Sequence, residues 1–384
     1  MRILHLSDHV LPGGIISWRI EKSAITALNH GYEVFFGGPK NSLSTKETFN
    51  KIYEINWTPR ARRGFPYDWH CVKKQINKVL REVRPDIVHA NNIFSAKMIS
   101  EFDVPFVYDD HEYWPSYVKR QVESYNSTKP KANTNDKPLK KILRPLVMWF
   151  LNSNFLRLGL RWEKELVSSV PTITVSDKIA EELMELGDTG KVFVTPNYPL
   201  KEETNGIQQP IFHNELSSVY AGIEGKSMPH RNIEGFVDMF YKSDIGNLIM
   251  MGMEDHNQKS TPRVRYAGLL PRTKMYEEMN NHCVGLIPFK KHWSHKYISP
   301  NKAYEYAHAG LFVMCTSSLV TIREILKENC VAFDDYDEMV LQLEYFKNNL
   351  EELYNKRLKI FRFARNNLVW ENYEKNIINA YRTC

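Results

Sequence analysis

Short apolar runs alternate with amphipathic stretches along nearly the whole chain, and this alternation limits the possible folds more than any other feature. In the first half Ile3–Leu6, Tyr32–Phe36, Tyr53–Ile55, Pro85–Ala90, Val104–Tyr108, Thr172–Val175 and Val192–Thr195 read as strands. Between them lie helical patterns. One places Ile16, Ile20, Ala24, Ala27 and Leu28 on a single face, and another runs near Asp68–Val83. The second half continues in the same style with Ser218–Ala221, Leu248–Met251, Val264–Ala267, Val284–Pro288, Phe312–Cys315 and Val331–Asp334. Strands this apolar, separated by helices, belong to parallel sheets covered on both faces. The expected class is α/β, with two doubly wound, Rossmann-like domains joined near Asn197-Tyr198-Pro199. Folds of this kind bind ligands beyond the carboxyl ends of their strands.

The 384 residues suit two domains, each with its own core. A net charge of +6 fits small anionic ligands or anionic lipid and does not call for nucleic acid. The five cysteines form no CxxC pair, so reduced thiols are expected, with no zinc site and no disulfide framework. The first apolar run is too short for a signal peptide. No window nears the ~18 uninterrupted apolar residues of a membrane span. The expected location is cytoplasmic.

The segment Ser299-Pro300-Asn301-Lys302-Ala303-Tyr304-Glu305-Tyr306-Ala307-His308-Ala309-Gly310 precedes an apolar strand. Ser299 suits an N-cap, Pro300 the first helical position and Gly310 the terminator. Free amides at such a helix start bind phosphate, and a carboxylate one turn in accepts hydrogen bonds from ribose hydroxyls. An ordinary capped helix before a core strand is the other reading.

Pro-Asn-Lys-x-x-Glu-Tyr-x-x-x-Gly followed by an apolar strand resembles the donor-binding signature of retaining glycosyltransferases of the GT-B fold, family 4. The resemblance implies two Rossmann-like domains facing across a cleft. It divides the chain into 1–197 plus 368–384 on the acceptor side and 198–367 on the donor side. The Trp370-centred start of the last helix resembles the helix that crosses back to the first domain in that family. The resemblance also implies that Glu305 meets the donor ribose, while Ser299, Pro300, Asn301 and Lys302 face the diphosphate. Many members carry another Glu eight residues before Glu305, touching the transferred sugar; here that position is Tyr297.

In the first half, Pro12-Gly13-Gly14 follows the first strand and lets backbone approach a ligand closely, or forms a structural turn. In the family this loop bears on the transferred sugar, which assigns Gly13 and Gly14 to donor binding. Tyr108-Asp109-Asp110-His111-Glu112 ends a strand and resembles a family stretch whose His lies beside that sugar. His111 takes this role, with Asp110 and Glu112 as neighbours; a solvated turn is the alternative. His89 ends the preceding strand and is a further candidate for the cleft. None of these histidines has metal-ligand spacing, so no metal or other cofactor is expected.

From Lys137 to Phe150 a helical wheel gathers Lys140, Lys141 and Arg144 opposite Leu143, Leu146 and Phe150. A basic amphipathic helix suits an anionic membrane surface, placing the protein peripherally on the inner face of the membrane; packing on its own domain is the alternative.

In the second half, Val219-Tyr220-Ala221-Gly222 followed by His230-Arg231 resembles the family's glycine loop and diphosphate clamp. Arg231 matches one clamp position, and Ile223 stands where the family has another Arg. Gly268-Leu269-Leu270 resembles the loop packing on the nucleotide base, which assigns Leu269 and Leu270 to it. The function expected is a retaining, metal-independent glycosyltransferase. It would use a nucleotide-diphosphate sugar and a glycan, lipid-linked or protein acceptor, with His111, Arg231 and Lys302 as catalytic residues. The alternatives are a nucleotide-sugar epimerase of the same fold and a catalytically silent sugar- or partner-binding protein.

Overall fold

The computed structural model describes residues 1–127, 157–222, 228–252 and 261–384. The chain forms two compact units. As far as they are described, the first comprises Met1–Val122, Lys129–Asn197 and Tyr373–Cys384, and the second comprises Glu123–Thr128 and Tyr198–Asn372. The return to the first unit thus starts at Tyr373 rather than at Leu368.

The first unit holds β1 (Arg2–Ser7), β2 (Glu33–Gly38), β3 (Lys51–Glu54), β4 (Ile87–Asn91), β5 (Phe106–Asp110), β6 (Thr172–Thr174) and β7 (Val192–Val194). They form one parallel sheet in the order β3-β2-β1-β4-β5-β6-β7. Strand order reverses between β1 and β4, the place where chain crossovers diverge to opposite faces and leave a crevice. Residues of β1 and β4 such as Ile3, Leu4, Leu6, Val88 and Ala90 have no exposed surface. Each large aliphatic side chain so buried contributes about 1.5–3 kcal/mol. The helix Trp18–Asn29 starts where the Ser17 side chain accepts from the Ile20 amide. The helix Glu374–Thr383 completes the unit by burying Ile377, Ile378, Ala380 and Tyr381.

The second unit contains β8 (Ser217–Ala221), β9 (Asn247–Met251), β10 (Val264–Gly268), β11 (Val284–Ile287), β12 (Phe312–Thr316) and β13 (Cys330–Phe333). Its parallel sheet runs β10-β9-β8-β11-β12-β13, with the reversal between β8 and β11. Each sheet therefore has the doubly wound order.

Among the described residues no helix is long and apolar enough to cross a membrane. Lys140, Lys141, Arg144, Leu146 and Phe150 lie outside the described residues, as does Ile223.

Candidate functional site

In the second unit the helix Asn301–His308 follows Pro300, which occupies the cap position with ψ 122°. The start is thus one residue later than expected. Ser299 is not the cap, because its hydroxyl is tied to the Tyr304 hydroxyl instead. The helix begins with no side-chain cap, so its first amides are left for another acceptor. Its far end matches the expectation: Gly310 has φ 71°, and the amides of Gly310 and Leu311 donate to Ala307 and Tyr306 carbonyls at 3.1 and 2.9 Å.

Lys302 lies one residue into this helix. Its Nζ is 4.2 Å from the Tyr220 ring centroid and 5.1 Å from that of Phe289. It also packs on Gly222, where an added Cβ would come within 2.5 Å of Nζ. Gly222 itself has φ 152° and donates its amide to the Met251 carbonyl at 2.8 Å. Burial, then the nearby Arg231 charge, pushes the Lys302 amine down to about 7, against a smaller opposing pull from Glu305. Two cations thus converge beyond the carboxyl end of β8. Among the described residues neither has an ion pair, an arrangement suited to an anionic ligand.

Glu305 is partly exposed, and its Oε1 accepts from Arg272 Nη1 at 2.9 Å. Arg272 also pairs with Glu203 and lies over the Tyr276 ring at 5.4 Å. Neither Arg272 nor Glu203 was expected from the sequence. Their positions carry no motif, and only the crossing of the β10 loop with the segment after Tyr198 brings them to Glu305. Leu269 is 80% exposed and Leu270 half-buried, on the loop after Gly268. Asn301 is exposed at the helix start, and Tyr297 ends the turn Trp293–Tyr297 with Lys296 Nζ 4.6 Å from its ring.

In the first unit Gly13 and Gly14 both have positive φ, 79° and 80°. A Cβ on Gly14 would strike the Asn41 carbonyl, whereas one on Gly13 would meet open space. The turn therefore requires glycine at 14 for packing and at 13 for conformation.

His111 follows β5 with a side chain 20% exposed, its Nδ1 3.9 Å from Asp109 Oδ1. Burial lowers its pKa against the opposing Asp109 charge, which favours a neutral ring at neutral pH. Asp109 is fully buried and was missed as a site residue. Arg19 Nε donates to both its oxygens at 2.9 and 2.8 Å, and His89 Nε2 lies 3.2 Å away. These partners hold the carboxyl well below its usual range in spite of burial. Arg19 also donates to the Thr195 carbonyl and to Asn197 Oδ1, at 2.9 and 3.0 Å.

His89 is not an open strand-end residue. It is wholly buried, stacked on His5 at 4.7 Å between ring centroids and 2.8 Å from the Tyr381 hydroxyl. Asp110 also turns inward, hydrogen-bonded to Glu163, whose other partner is the Tyr108 hydroxyl at 2.8 Å. Burial raises the pKa of both carboxyls, aided at Asp110 by the Asp109 and Glu112 charges and at Glu163 by the Asp110 charge. A shared proton accounts for Asp110 Oδ2 and Glu163 Oε1, which have no other donor in the described structure. Glu112 points outward, 2.8 Å from Arg120 Nη2. Nearby, Asp8 takes Arg62 Nε at 2.8 Å and lies 3.2 Å from His9 Nδ1, which raises the His9 pKa.

Residues 23–198 match a family model described as Glycosyltransferase Family 4. No curated protein sequence matches the chain. Among solved structures, sucrose-phosphate synthase from Thermosynechococcus elongatus superimposes with a TM-score of 0.70 at 14% identity, covering 99% of this chain and 98% of that one. HepE from Anabaena in complex with UDP-glucose gives 0.67 at 10% identity, with both chains fully covered. WaaG, a glycosyltransferase involved in lipopolysaccharide biosynthesis, gives 0.58 at 13% identity, covering 99% of each chain. The shared feature is the GT-B fold of two Rossmann-like domains.

Proposed function

We infer that this chain, a glycosyltransferase of GT-B fold with a family 4 match over residues 23–198, transfers a sugar from a nucleotide diphosphate with retention at the anomeric carbon. The observation that carries this reading is Lys302 packed on Gly222, with the Arg231 charge near it, at an uncapped helix start that has Glu305 one turn further in. The cations and amides suit a diphosphate, and the carboxylate suits a ribose diol.

The reaction assigned to this site is an internal return. The bond between the anomeric carbon and the diphosphate oxygen breaks, and its electron pair leaves with the phosphate beside Lys302 and Arg231. The acceptor oxygen bonds to the same face of the sugar and passes its proton to the departing phosphate. Arg231 and Lys302 offset the charge that develops on that phosphate, so the scheme requires no metal ion. His111, neutral and adjacent to the Asp109 charge, serves the positive character of the sugar in the transition state.

HepE was solved with UDP-glucose, which supports a uridine diphosphate sugar as the first donor to test. The basic segment around Lys140, Lys141 and Arg144 supports a lipid-linked acceptor at an anionic membrane surface. The deciding experiment incubates the protein with a panel of nucleotide sugars, with and without glycan and lipid-linked acceptors, and reads the product anomer by NMR. Transfer with retained configuration is expected. Donor turnover to an epimer without acceptor, or no turnover with any donor, overturns the reading.

A further inference from the structure

The Glu305 carboxylate is not left to find its own orientation. Arg272, at the first position of the helix Arg272–Asn280, donates Nη1 to Glu305 Oε1 at 2.9 Å. Its Nε is pinned by Glu203, and its Nη2 lies 3.4 Å from the Tyr276 hydroxyl. The Tyr276 ring beneath it is almost wholly buried, and Glu203 is only 6% exposed. Each edge of the guanidinium is therefore engaged, and the fork cannot swing away with solvent.

A carboxylate with one oxygen fixed this way presents its other oxygen in one direction only. The contact is an ion pair as well as a hydrogen bond. An ionised carboxylate only accepts hydrogen bonds, so its ligand must bring donors. A vicinal diol meets that requirement, whereas a deoxygenated ring carbon leaves the acceptor unpaired.

We propose that Arg272, braced by Glu203, is a positioning residue that aims Glu305 at a ribose diol and so makes the second unit selective for ribonucleotides over 2′-deoxyribonucleotides. The proposal rests on the reading of Glu305 as a nucleotide-binding residue. It adds the source of selectivity, which no motif in the sequence reveals.

Calorimetric titration of the full chain with UDP and 2′-deoxy-UDP tests it. The wild type is expected to prefer UDP by about tenfold or more, the scale of a charged hydrogen bond. Arg272→Ala should reduce that preference to about twofold or less, while the gain of UDP over uridine is kept. Arg272→Lys, which keeps the charge but not the fork, should fall between them. Arg272→Ala leaves two carboxylates facing each other and risks misfolding. The pair Arg272→Gln with Glu203→Gln removes the guanidinium without that repulsion, and should lose selectivity in the same way. A folded variant of either kind that keeps the wild-type preference overturns the role of Arg272 and leaves the reading of Glu305 standing. A wild type that binds UDP and 2′-deoxy-UDP equally removes the ribose role of Glu305, and the proposal with it.

Discussion

Lys302 shows how a single residue can carry a pH dependence. Burial, and then the Arg231 charge beside it, pushes its amine down to about 7. A bound diphosphate favours the charged form, so binding above that pH takes up a proton. Donor affinity should therefore fall as pH rises from about 7, by up to about tenfold per unit. Titrations from pH 6 to 9 in buffers of different ionisation enthalpy measure both the slope and the proton uptake. A flat profile would show that Lys302 does not meet the phosphates. Glu305→Ala should weaken UDP by about 1.5–3 kcal/mol with the fold intact, as calorimetry and circular dichroism together would report. Asp110 makes an opposite kind of prediction. The folded protein keeps a proton on the Asp110–Glu163 pair that the unfolded chain releases above the usual carboxylate range. Stability contributed by that proton is lost as pH rises towards neutrality. Asp110→Asn should consequently melt higher than the wild type at pH 8 and differ less at pH 5. Equal differences at the two pH values would mean that the pair does not share a proton.

At the scale of elements, the strands were legible because their signal is local: runs such as Phe312–Cys315 are apolar at every position and have no other place than a two-sided sheet. Helix ends were legible where glycine requires a left-handed conformation, as at Gly310, and less so where two residues compete to cap, as at Ser299 and Pro300. The candidate site was half readable. Glu305, Lys302 and Arg231 stand in motifs, whereas Arg272, Glu203, Asp109 and Arg19 matter through pairings between distant segments that no local pattern encodes. His89 misled for the same reason: a strand-end histidine looks solvated until the helix that covers it is known. Gly310 supplies a test at this level. Its φ of 71° and the Pro210 ring atoms 2.8–3.0 Å from any added Cβ make Gly310→Ala costly. A loss of about 1–3 kcal/mol in denaturant unfolding is expected. Unchanged stability would show that the helix end tolerates a side chain there.

For the whole molecule, the net charge of +6 and the basic residues Lys140, Lys141 and Arg144 lead to a vesicle experiment. The protein should co-sediment with anionic vesicles at low salt, with about 1 kcal/mol from each of Lys140, Lys141 and Arg144. The triple Lys/Arg→Glu variant should remain in the supernatant, and a wild type that never sediments removes the membrane from the account.

The first unit is discontinuous along the chain. Tyr381, which reaches the buried His89 ring, and the apolar face of Glu374–Thr383 are translated after every residue of the second unit. On the ribosome the sheet of the first unit waits, with His89 lacking its Tyr381 partner, while the segment Tyr198–Asn372 emerges. Order of synthesis and order of completion are thus inverted. Of the two units, the one begun earlier is the last to close.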